Sequence, residues 1–284
     1  MSVASFVSEI WSANLLVSLK KSLIYGSACN RDYEGEIAEA GDTVHINSVG
    51  RPTIATYTPN STVITPEAVV TADRTLVIDQ TKYFAFEVDD VDARQARGNV
   101  IDGYMTEAAF AMADVADQFL AATMVAGISA TNKVNSGTAV AITTGDIAYT
   151  QLLKLAQKLD EANVPGEGRW AIIPPWYYAL LLDNNKFVNN ANPSVKAAMA
   201  LYNGVIGEAA GMLLLKSNNV PIPSANQSSV VAGTTAGATY AEQISKTEAY
   251  RPQSSFADAI KGLHLYGSKV VRPDALALLT ASSV

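Results

Sequence analysis

The sequence is poor in the residues that build disulfides and metal centres. Its 284 residues include one cysteine, Cys29, and two histidines, His45 and His264. A single cysteine excludes an intrachain disulfide and a zinc site built from several thiolates. This cysteine usage is typical of a protein made for a reducing cytoplasm.

Charge is also scarce. Charged residues make up 17% of the chain and hydrophobic residues 49%, against roughly 25% charged residues in typical globular domains. The net charge of -7 argues against a protein whose main task is to grip nucleic acid, because that affinity comes largely from Lys and Arg neutralising phosphates. The apolar composition indicates that part of the surface is covered by partner molecules.

Long apolar runs and several catalytic motifs are missing. No apolar run approaches the roughly 18 residues that span a bilayer, and the first residues, MSVASFVSEIWSANLLVSLKKSL, lack the basic leader of a secretory signal. The patterns GxxxxGKS/T, GxGxxG and GxSxG do not occur. The sequence therefore predicts no membrane span, no nucleotide site and no serine hydrolase site.

The N-terminal stretch predicts an amphipathic helix that ends near Gly26. Its apolar residues follow helical spacing, with one stripe of Phe6, Ile10, Ala13 and Val17 and a second of Leu16, Leu19 and Leu23. Such a helix either packs on its own domain or reaches a neighbouring subunit as an arm. Both interpretations are open at this stage.

From Gly41 to about Val88 the pattern changes to strands rich in Thr, Val, Ile, Tyr and Phe. In the last strand alternate residues share a face: Phe84, Phe86 and Val88 on one side, and Tyr83, Ala85 and Glu87 on the other. A two-stranded ribbon of this length is marginally stable alone in water and leaves its edges unpaired. The sequence therefore predicts an extended loop that needs a partner.

The clearest helical pattern runs from Val100 to the stop at Gly127. About 26 residues at 1.5 Å each span roughly 39 Å, enough to cross a whole domain. The stripe predicted to face the core consists of Ile101, Met105, Ala108, Met112, Val115 and Phe119. Because such a stripe is nearly always core, its methionines are not expected to bind a ligand.

The next stretch alternates between helices and strands, as an α/β unit does. Thr143 or Thr144 caps one helix, RWAII is a buried strand, and Pro174 with Pro175 opens a second helix. GMLLLK predicts another buried strand. The final segment returns to β structure, with Gly267 expected at a turn or bulge.

In this order, the segments resemble the major capsid proteins of tailed phages, which have the Hong-Kong-97-type fold. The stretches that carry the resemblance are FVSEIWSANLLVSLKKSLIYG, NRDYEGEIAEAGDTVHINSVG, DQTKYFAFEVDDVDARQ, WAIIPPWYYALLL, LLLKSNNVP and AYRPQSSFADAIKGLHLYGSKVVRP. The resemblance covers nearly the whole chain and implies an α+β fold. The implied parts are an N-terminal arm (1–40), an extended β loop (41–90), a peripheral domain with a long spine helix (91–134 and 236–284) and an α/β axial domain (135–235).

The resemblance also implies a function. It implies a structural protein without catalytic residues or cofactors, whose hexamers and pentamers form an icosahedral shell around phage double-stranded DNA, with extended loops lying over neighbouring subunits. The implied location is the capsid of the virion, assembled in the host cytoplasm. The expected partners are copies of the chain, a separate scaffolding protein, a portal protein and DNA that is contacted weakly on the inner face, with no membrane.

Two departures from relatives bear on assembly. Some relatives begin with a scaffolding segment that is cut away, whereas here the arm begins almost at Met1, which predicts a separate scaffold or cleavage before this numbering. In other relatives a lysine of the extended loop links subunits covalently. Between Gly41 and Thr81 this chain has no lysine, so covalent linkage of that kind is not expected.

An acidic cluster of Asp89, Asp90 and Asp92 ends the last strand of the loop, followed by Arg94 and Arg97. At a strand-to-helix junction such carboxylates complement free amide donors and the positive helix end, or pair with the arginines. A metal site is disfavoured because both histidines lie far off in sequence and no EF-hand loop follows. Two alternatives stay open: an encapsulin-like nanocompartment shell, and a metal-dependent hydrolase centred on the three aspartates.

Overall fold

The structure is a computed structural model, described here over residues 24–32, 43–49, 53–59, 68, 71–89, 100–184, 207–252 and 257–283. Its strands are β1 (Thr43–Val49), β2 (Thr71–Val77), β3 (Gln80–Asp89), β4 (Val140–Ile142), β5 (Trp170–Ile173), β6 (Glu208–Ala209), β7 (Met212–Lys216), β8 (Gln227–Gly233), β9 (Ala238–Tyr250), β10 (Ala257–Val270) and β11 (Leu276–Ser283). Its α-helices are α1 (Val100–Gly127), α2 (Gly145–Glu161) and α3 (Pro175–Leu182). The predicted N-terminal helix lies outside the described residues.

Helix α1 has the predicted bounds, but its buried face differs from the predicted stripe. Met112 is buried as expected, whereas Val115 is 42% exposed. The face that packs on the core is rich in alanine: Ala109, Ala113, Ala116, Leu120, Ala121 and Met124. Alanines let a sheet approach the helix closely. The face in contact with the sheet is therefore rotated from the predicted face by about one residue along the helix.

A three-stranded antiparallel sheet in the order β3-β10-β9 lies between α1 and the β1–β2 ribbon. On one face, Tyr240 and Tyr266 share a buried cluster with Leu120 of α1. On the other face, Ala241 and Leu265 pack against the ribbon. Successive strand residues point to opposite faces, so the ribbon and α1 lie on opposite sides of this sheet.

The structure divides the last predicted strand of the loop into two strands in different sheets. β2 pairs with β1, with Thr43 opposite Val77. Two residues separate β2 from β3, and β3 pairs with β10. Within β3 the predicted alternation is confirmed, because Phe84 and Phe86 are partly buried while Tyr83 is 78% exposed.

Gly267 lies inside β10 and not at the expected turn or bulge. The register irregularity between β9 and β10 falls at Leu263 and His264 instead. A Cβ atom on Gly267 would lie well inside 3.0 Å of the backbone carbonyl oxygen of Val77. Glycine is required at this position because the end of the ribbon crosses directly over the sheet.

The last strand, β11, belongs to a six-stranded mixed sheet in the order β4-β11-β8-β5-β7-β6. Residues 236–284 are all expected in the peripheral domain, and within that range β11 pairs in a different sheet from β9 and β10. Its two faces are both apolar: Ala277 and Leu279 pack in the cluster that includes α2 and α3, while Leu276 and Leu278 face the cluster that includes α1. A strand that is apolar on both faces fits a central position in a covered sheet.

Helices α2 and α3 begin where the sequence predicts. The Thr144 hydroxyl accepts a hydrogen bond from the backbone N–H of Ile147 at 3.4 Å, and Pro175 is the first residue of α3. The buried residues of α2 include the predicted Leu152, Leu155, Ala156 and Leu159. Strand β5, predicted from RWAII, is buried along its whole length.

The segment Tyr104–Gly127 of α1 is long and apolar enough, by length and composition, to cross a membrane. This segment contains no uninterrupted apolar run of that length, because Glu107, Asp114 and Asp117 interrupt it. In the fold this segment is part of the helix that packs on the sheet, and it is partly buried there. Packing accounts for one side of the helix and leaves the other side uncovered.

Candidate assembly interface

The segment 53–59, between β1 and β2, is exposed at every residue and is called the loop tip below. Ile54 is 95% exposed and Tyr57 is 61% exposed. Burying a large apolar side chain contributes about 1.5–3 kcal/mol. Contact of the loop tip with another molecule would therefore be favourable.

The outer edge of β3 is a second open feature. Within the described part of the chain β3 pairs with β10 alone, so alternate backbone N–H and C=O groups along its ten residues point away from the sheet. Lys82 and Glu87 are exposed on this strand, beside Tyr83. Charged side chains on an edge discourage unspecific strand pairing, so these charges restrict which strand can pair with β3.

The outer side of α1 is the third open feature. Phe110 and Val115 are 53% and 42% exposed, and Tyr104 is 54% exposed with its ring centroid 5.5 Å from that of Phe86 on β3. Because α1 and the ribbon lie on opposite sides of the three-stranded sheet, this surface is separate from the base of the loop. The subunit thus has uncovered apolar side chains on both sides of one sheet.

A buried carboxylate, Asp117, holds the N-terminal segment 24–32 on α1. It is 2% exposed, and its Oδ1 accepts hydrogen bonds from the backbone N–H groups of Ile24 at 3.0 Å and Tyr25 at 2.8 Å. Its Oδ2 accepts a hydrogen bond from Asn219 Nδ2 at 3.0 Å. Burial raises the pKa of Asp117, and the hydrogen bonds oppose that rise. One side chain therefore connects the N-terminal segment, α1 and the turn after β7.

A second buried carboxylate, Glu242 on β9, holds the far end of the same segment. It forms an ion pair with Arg31 and accepts a hydrogen bond from the Tyr240 hydroxyl at 2.7 Å. Nε2 of His264 lies 3.6 Å from Oε2 of Glu242. Burial alone would raise the pKa of Glu242, but His264, Arg31 and Tyr240 outweigh it and hold the pKa at about 2.

Asn30 joins the segment to the edge of β9 between these two carboxylates. Its backbone N–H donates to the Ala238 carbonyl at 2.9 Å, and its carbonyl accepts from the Tyr240 N–H at 2.9 Å. The Thr239 hydroxyl donates to the same carbonyl at 3.1 Å. Backbone and side-chain contacts together fix the base of the N-terminal arm to the body of the subunit.

Only one of the predicted junction residues lies in the described part of the chain. Asp89 is the last residue of β3 and pairs with Ala257 of β10. The other four lie outside the described residues: Asp90, Asp92, Arg94 and Arg97. Their role at the strand-to-helix junction stays a prediction. Across the residues that the structure describes, no group of three or more His, Cys, Asp or Glu could hold a metal ion.

Neither buried carboxylate, Asp117 or Glu242, was predicted as a functional residue from the sequence. The signal for Asp117 was present, since it is an acidic residue between the apolar Ala116 and Leu120 of the same helix. Its partners could not be found in the same way, because Ile24 is 93 residues away in sequence. The separation between Arg31 and Glu242 is 211 residues, so local spacing carried no information about that pair.

A family model described as phage capsid protein matches residues 49–279. Among solved structures, one from Mycobacterium phage Che8 is 31% identical in sequence, covers 90% of each chain and superposes with a TM-score of 0.78. The capsid structure of the cyanophage P-SCSP1u is 20% identical over 87% of this chain and 85% of that chain, with a TM-score of 0.71.

A crystal structure of a virus-like particle from Pyrococcus furiosus is similar at lower identity. It is 15% identical over 96% of this chain and 99% of that chain, with a TM-score of 0.58, so the likeness concerns the fold alone. None of the curated protein sequences matches the chain.

Proposed function

Since the chain belongs to the phage capsid protein family and has the Hong-Kong-97-type fold, it is a structural, non-enzymatic subunit of a phage shell, and we propose that it assembles as hexamers and pentamers around double-stranded DNA. The observation that carries the proposed mode of assembly is the exposed loop tip, with Ile54 and Tyr57. Neither side chain belongs to a buried cluster among the described residues of its own subunit. A neighbouring copy in the shell is the partner that would cover them.

The proposed contact follows from the layered arrangement of the subunit. The base of the ribbon packs on the three-stranded sheet through Val44, Ile46 and Leu76, which fixes the direction in which the loop leaves the subunit. The loop tip beyond it lies over the adjacent subunit. Burial of two large apolar side chains at each such contact, repeated round every capsomer, contributes several kcal/mol per subunit.

The domain division proposed for this function follows the predicted boundaries, with one change. Residues 1–40 form the arm, 41–90 the extended loop and 135–235 the axial domain, to which β11 is added because it pairs with β8 and β4. The peripheral domain then consists of α1, β9 and β10 with the junction at 91–99.

The other proposed partners follow from charge and from the resemblance. With a net charge of -7, the subunit contacts packaged DNA weakly on the inner face. A separate scaffolding protein guides assembly in the host cytoplasm, and a portal protein occupies one vertex. The alternative of a nanocompartment shell has less support, because the family model that matches the chain is described as phage capsid protein.

The proposed loop contact is tested by removing the apolar side chains of the loop tip. In the double variant Ile54→Ser with Tyr57→Ser, the exposed positions lose apolar surface without losing a core contact, so folding should persist while closed particles fail to form. The matched control is Ala55→Ser, which places a serine at an exposed position of the same segment and should assemble normally. Sedimentation and negative-stain electron microscopy of all three proteins give the readout.

Two results would contradict the proposal. Regular closed shells from the double variant would show that the loop tip does not serve assembly. A double variant that is insoluble or lacks a cooperative melting transition would show that the loop tip belongs to the core of its own subunit.

A further inference from the structure

A cleft of about 480 Å³ opens beside the base of the ribbon. Four parts of the chain line it: β2 with Arg74, the turn between α2 and β5 with Val164 and Pro165, the turn between β8 and β9 with Ala236, and the link between β10 and β11 with Arg272. Its volume lies within the roughly 300–1,000 Å³ of typical ligand sites. The cleft is therefore large enough to receive side chains of another molecule.

The walls of the cleft combine arginines with apolar surface. Arg74 donates a hydrogen bond to the Val270 carbonyl at 3.3 Å, which holds its guanidinium at the end of β10. Arg272 is exposed two residues further along the chain. Within the described part of the chain, no ion pair uses either guanidinium. Because an arginine stacks well on an aromatic ring, the cleft suits a segment that carries an aromatic side chain.

The loop tip has the matching composition. It contains no charged residue and presents Ile54 and Tyr57, which are 95% and 61% exposed. The Tyr57 ring suits a guanidinium, and its hydroxyl can donate to Glu167 or Asp274, whose side chains also line the cleft. Since every residue of the loop tip is exposed, the loop tip does not occupy the cleft of its own subunit.

Closed rings of subunits require a contact between two different surfaces. A surface that binds its own copy produces dimers, whereas two different surfaces join copies head to tail and can close into rings. The cleft adjoins the ribbon at Arg74, opposite Ile46, whereas the loop tip lies beyond the end of β1 at Val49. Each subunit therefore has one of each surface, at separate places along one ribbon.

We propose that the cleft receives the loop tip of the adjacent copy, with Tyr57 against the two arginines and Ile54 against Val164 and Pro165. The proposal rests on the assembly function proposed above and adds the surface of the adjacent copy that the loop tip contacts. The same pair of surfaces then joins neighbours in hexamers and in pentamers.

Thiol cross-linking in assembled shells tests this pairing. In the full-length double variant Thr56→Cys with Ala236→Cys, a short bismaleimide should join adjacent copies, because Thr56 precedes Tyr57 and Ala236 lines the cleft. Links around closed rings should give a ladder of up to six copies on a denaturing gel. Mass spectrometry should identify the linked pair of peptides. The native Cys29 is buried, so the engineered thiols are the ones that react.

The matched control pairs Thr56→Cys with Ala122→Cys. Ala122 is exposed like Ala236, but it belongs to α1, on the opposite side of the three-stranded sheet from the ribbon. This pair should give no ladder.

Three other results would overturn the proposal. A link within one chain would show that the loop tip enters the cleft of its own subunit. Dimers from Thr56→Cys alone would show that two loop tips meet each other. Closed shells without any link would assign the loop tip to another surface. Because each result is read in shells that have formed, none of them would remove the role of the subunit in the shell.

A second measurement needs no cysteine. Arg272→Ala should raise the subunit concentration needed for half-maximal assembly roughly fivefold, because the cation–π contact is lost. The soluble subunit should keep its melting temperature, since Arg272 is exposed. Lys269→Ala removes an exposed cation of β10 that does not line the cleft and should leave assembly unchanged. An Arg272→Ala subunit that assembles at the wild-type concentration would contradict the proposed contact.

Discussion

Oδ1 of Asp117 lies 2.8 Å from the backbone nitrogen of Tyr25 and also accepts the N–H of Ile24, so one buried carboxylate fixes the chain at the base of the N-terminal arm. Asp117→Ala would leave both donors without a partner. Each unsatisfied buried donor costs about 1–3 kcal/mol, so the variant should lose about 3 kcal/mol of unfolding free energy. Denaturant melts of the soluble subunit measure this loss.

The control for that variant is Asp114→Ala, three residues earlier on the same helix. Asp114 is exposed and its Oδ2 accepts a hydrogen bond from Nε2 of Gln118, so stability should change by less than about 0.5 kcal/mol. Equal losses of unfolding free energy in the two variants would mean that the hydrogen bonds of Asp117 to the N-terminal segment do not stabilise the subunit.

The stability of the subunit should depend on pH through the ionisation of Glu242, the second buried carboxylate. The folded-state pKa of Glu242 is about 2, below the usual 4.5, so its stabilising contribution is present above pH 4.5 and is lost as the pH falls towards 2. This contribution is about 3 kcal/mol. Asp117, whose pKa is raised, acts with the opposite sign and offsets part of the loss.

Thermal melts between pH 7 and pH 3 on the wild type and Glu242→Gln check this prediction. The variant should be less stable at pH 7, because the amide removes the carboxylate of the ion pair with Arg31, and its stability should fall less steeply below pH 4.5. Parallel curves for the two proteins would show that Glu242 is not the group responsible.

Gly267→Ala should loosen the ribbon without disturbing the six-stranded sheet. The added methyl group would collide with the Val77 carbonyl, a backbone atom that cannot move alone, at a cost of about 1–3 kcal/mol. Hydrogen exchange of the β1 and β2 amides should accelerate, while that of β8 and β11 stays the same. Gly166→Ala, where an added Cβ meets nothing within 4 Å, is the control, and equal exchange in both would contradict the close approach.

Shells should come apart without covalent bonds between subunits. No lysine lies between Gly41 and Thr81, and Cys29 is buried. Burial raises the pKa of its thiol to about 12, which keeps it from reacting as a thiolate. Hot denaturing detergent should give one band near 30.0 kDa, and a ladder of multimers that survives reductant would contradict this expectation.

Periodicity predicted the elements better than it predicted their faces. The bounds of α1 followed from its apolar spacing and from Gly127. Its buried face did not, because the prediction gave large apolar residues such as Val115 more weight than the alanines that form the contact with the sheet. The division between β2 and β3 could not be predicted from the sequence, because the strand-like pattern continues without a break through Ile78. Only the pairing partner changes there, from β1 to β10. Which strands share a sheet is set by contacts remote in sequence, as the position of β11 shows.

The same limit applies to the candidate interface. An exposed, apolar loop was predictable from alternation and from the turn residues, since both act locally. The anchors at Asp117 and Glu242 were not, because burial turns an ordinary carboxylate into a binding site only when distant donors converge on it.

The most direct test of the account is a cryo-electron microscopy reconstruction of the shell at a resolution that shows side chains. We expect Ile54 and Tyr57 to be buried against an adjacent subunit, with α1 and the ribbon on opposite surfaces of the shell wall. A shell in which the loop tip faces solvent, or folds back on its own subunit, would contradict the central claim that exposed apolar residues of this loop join neighbouring copies.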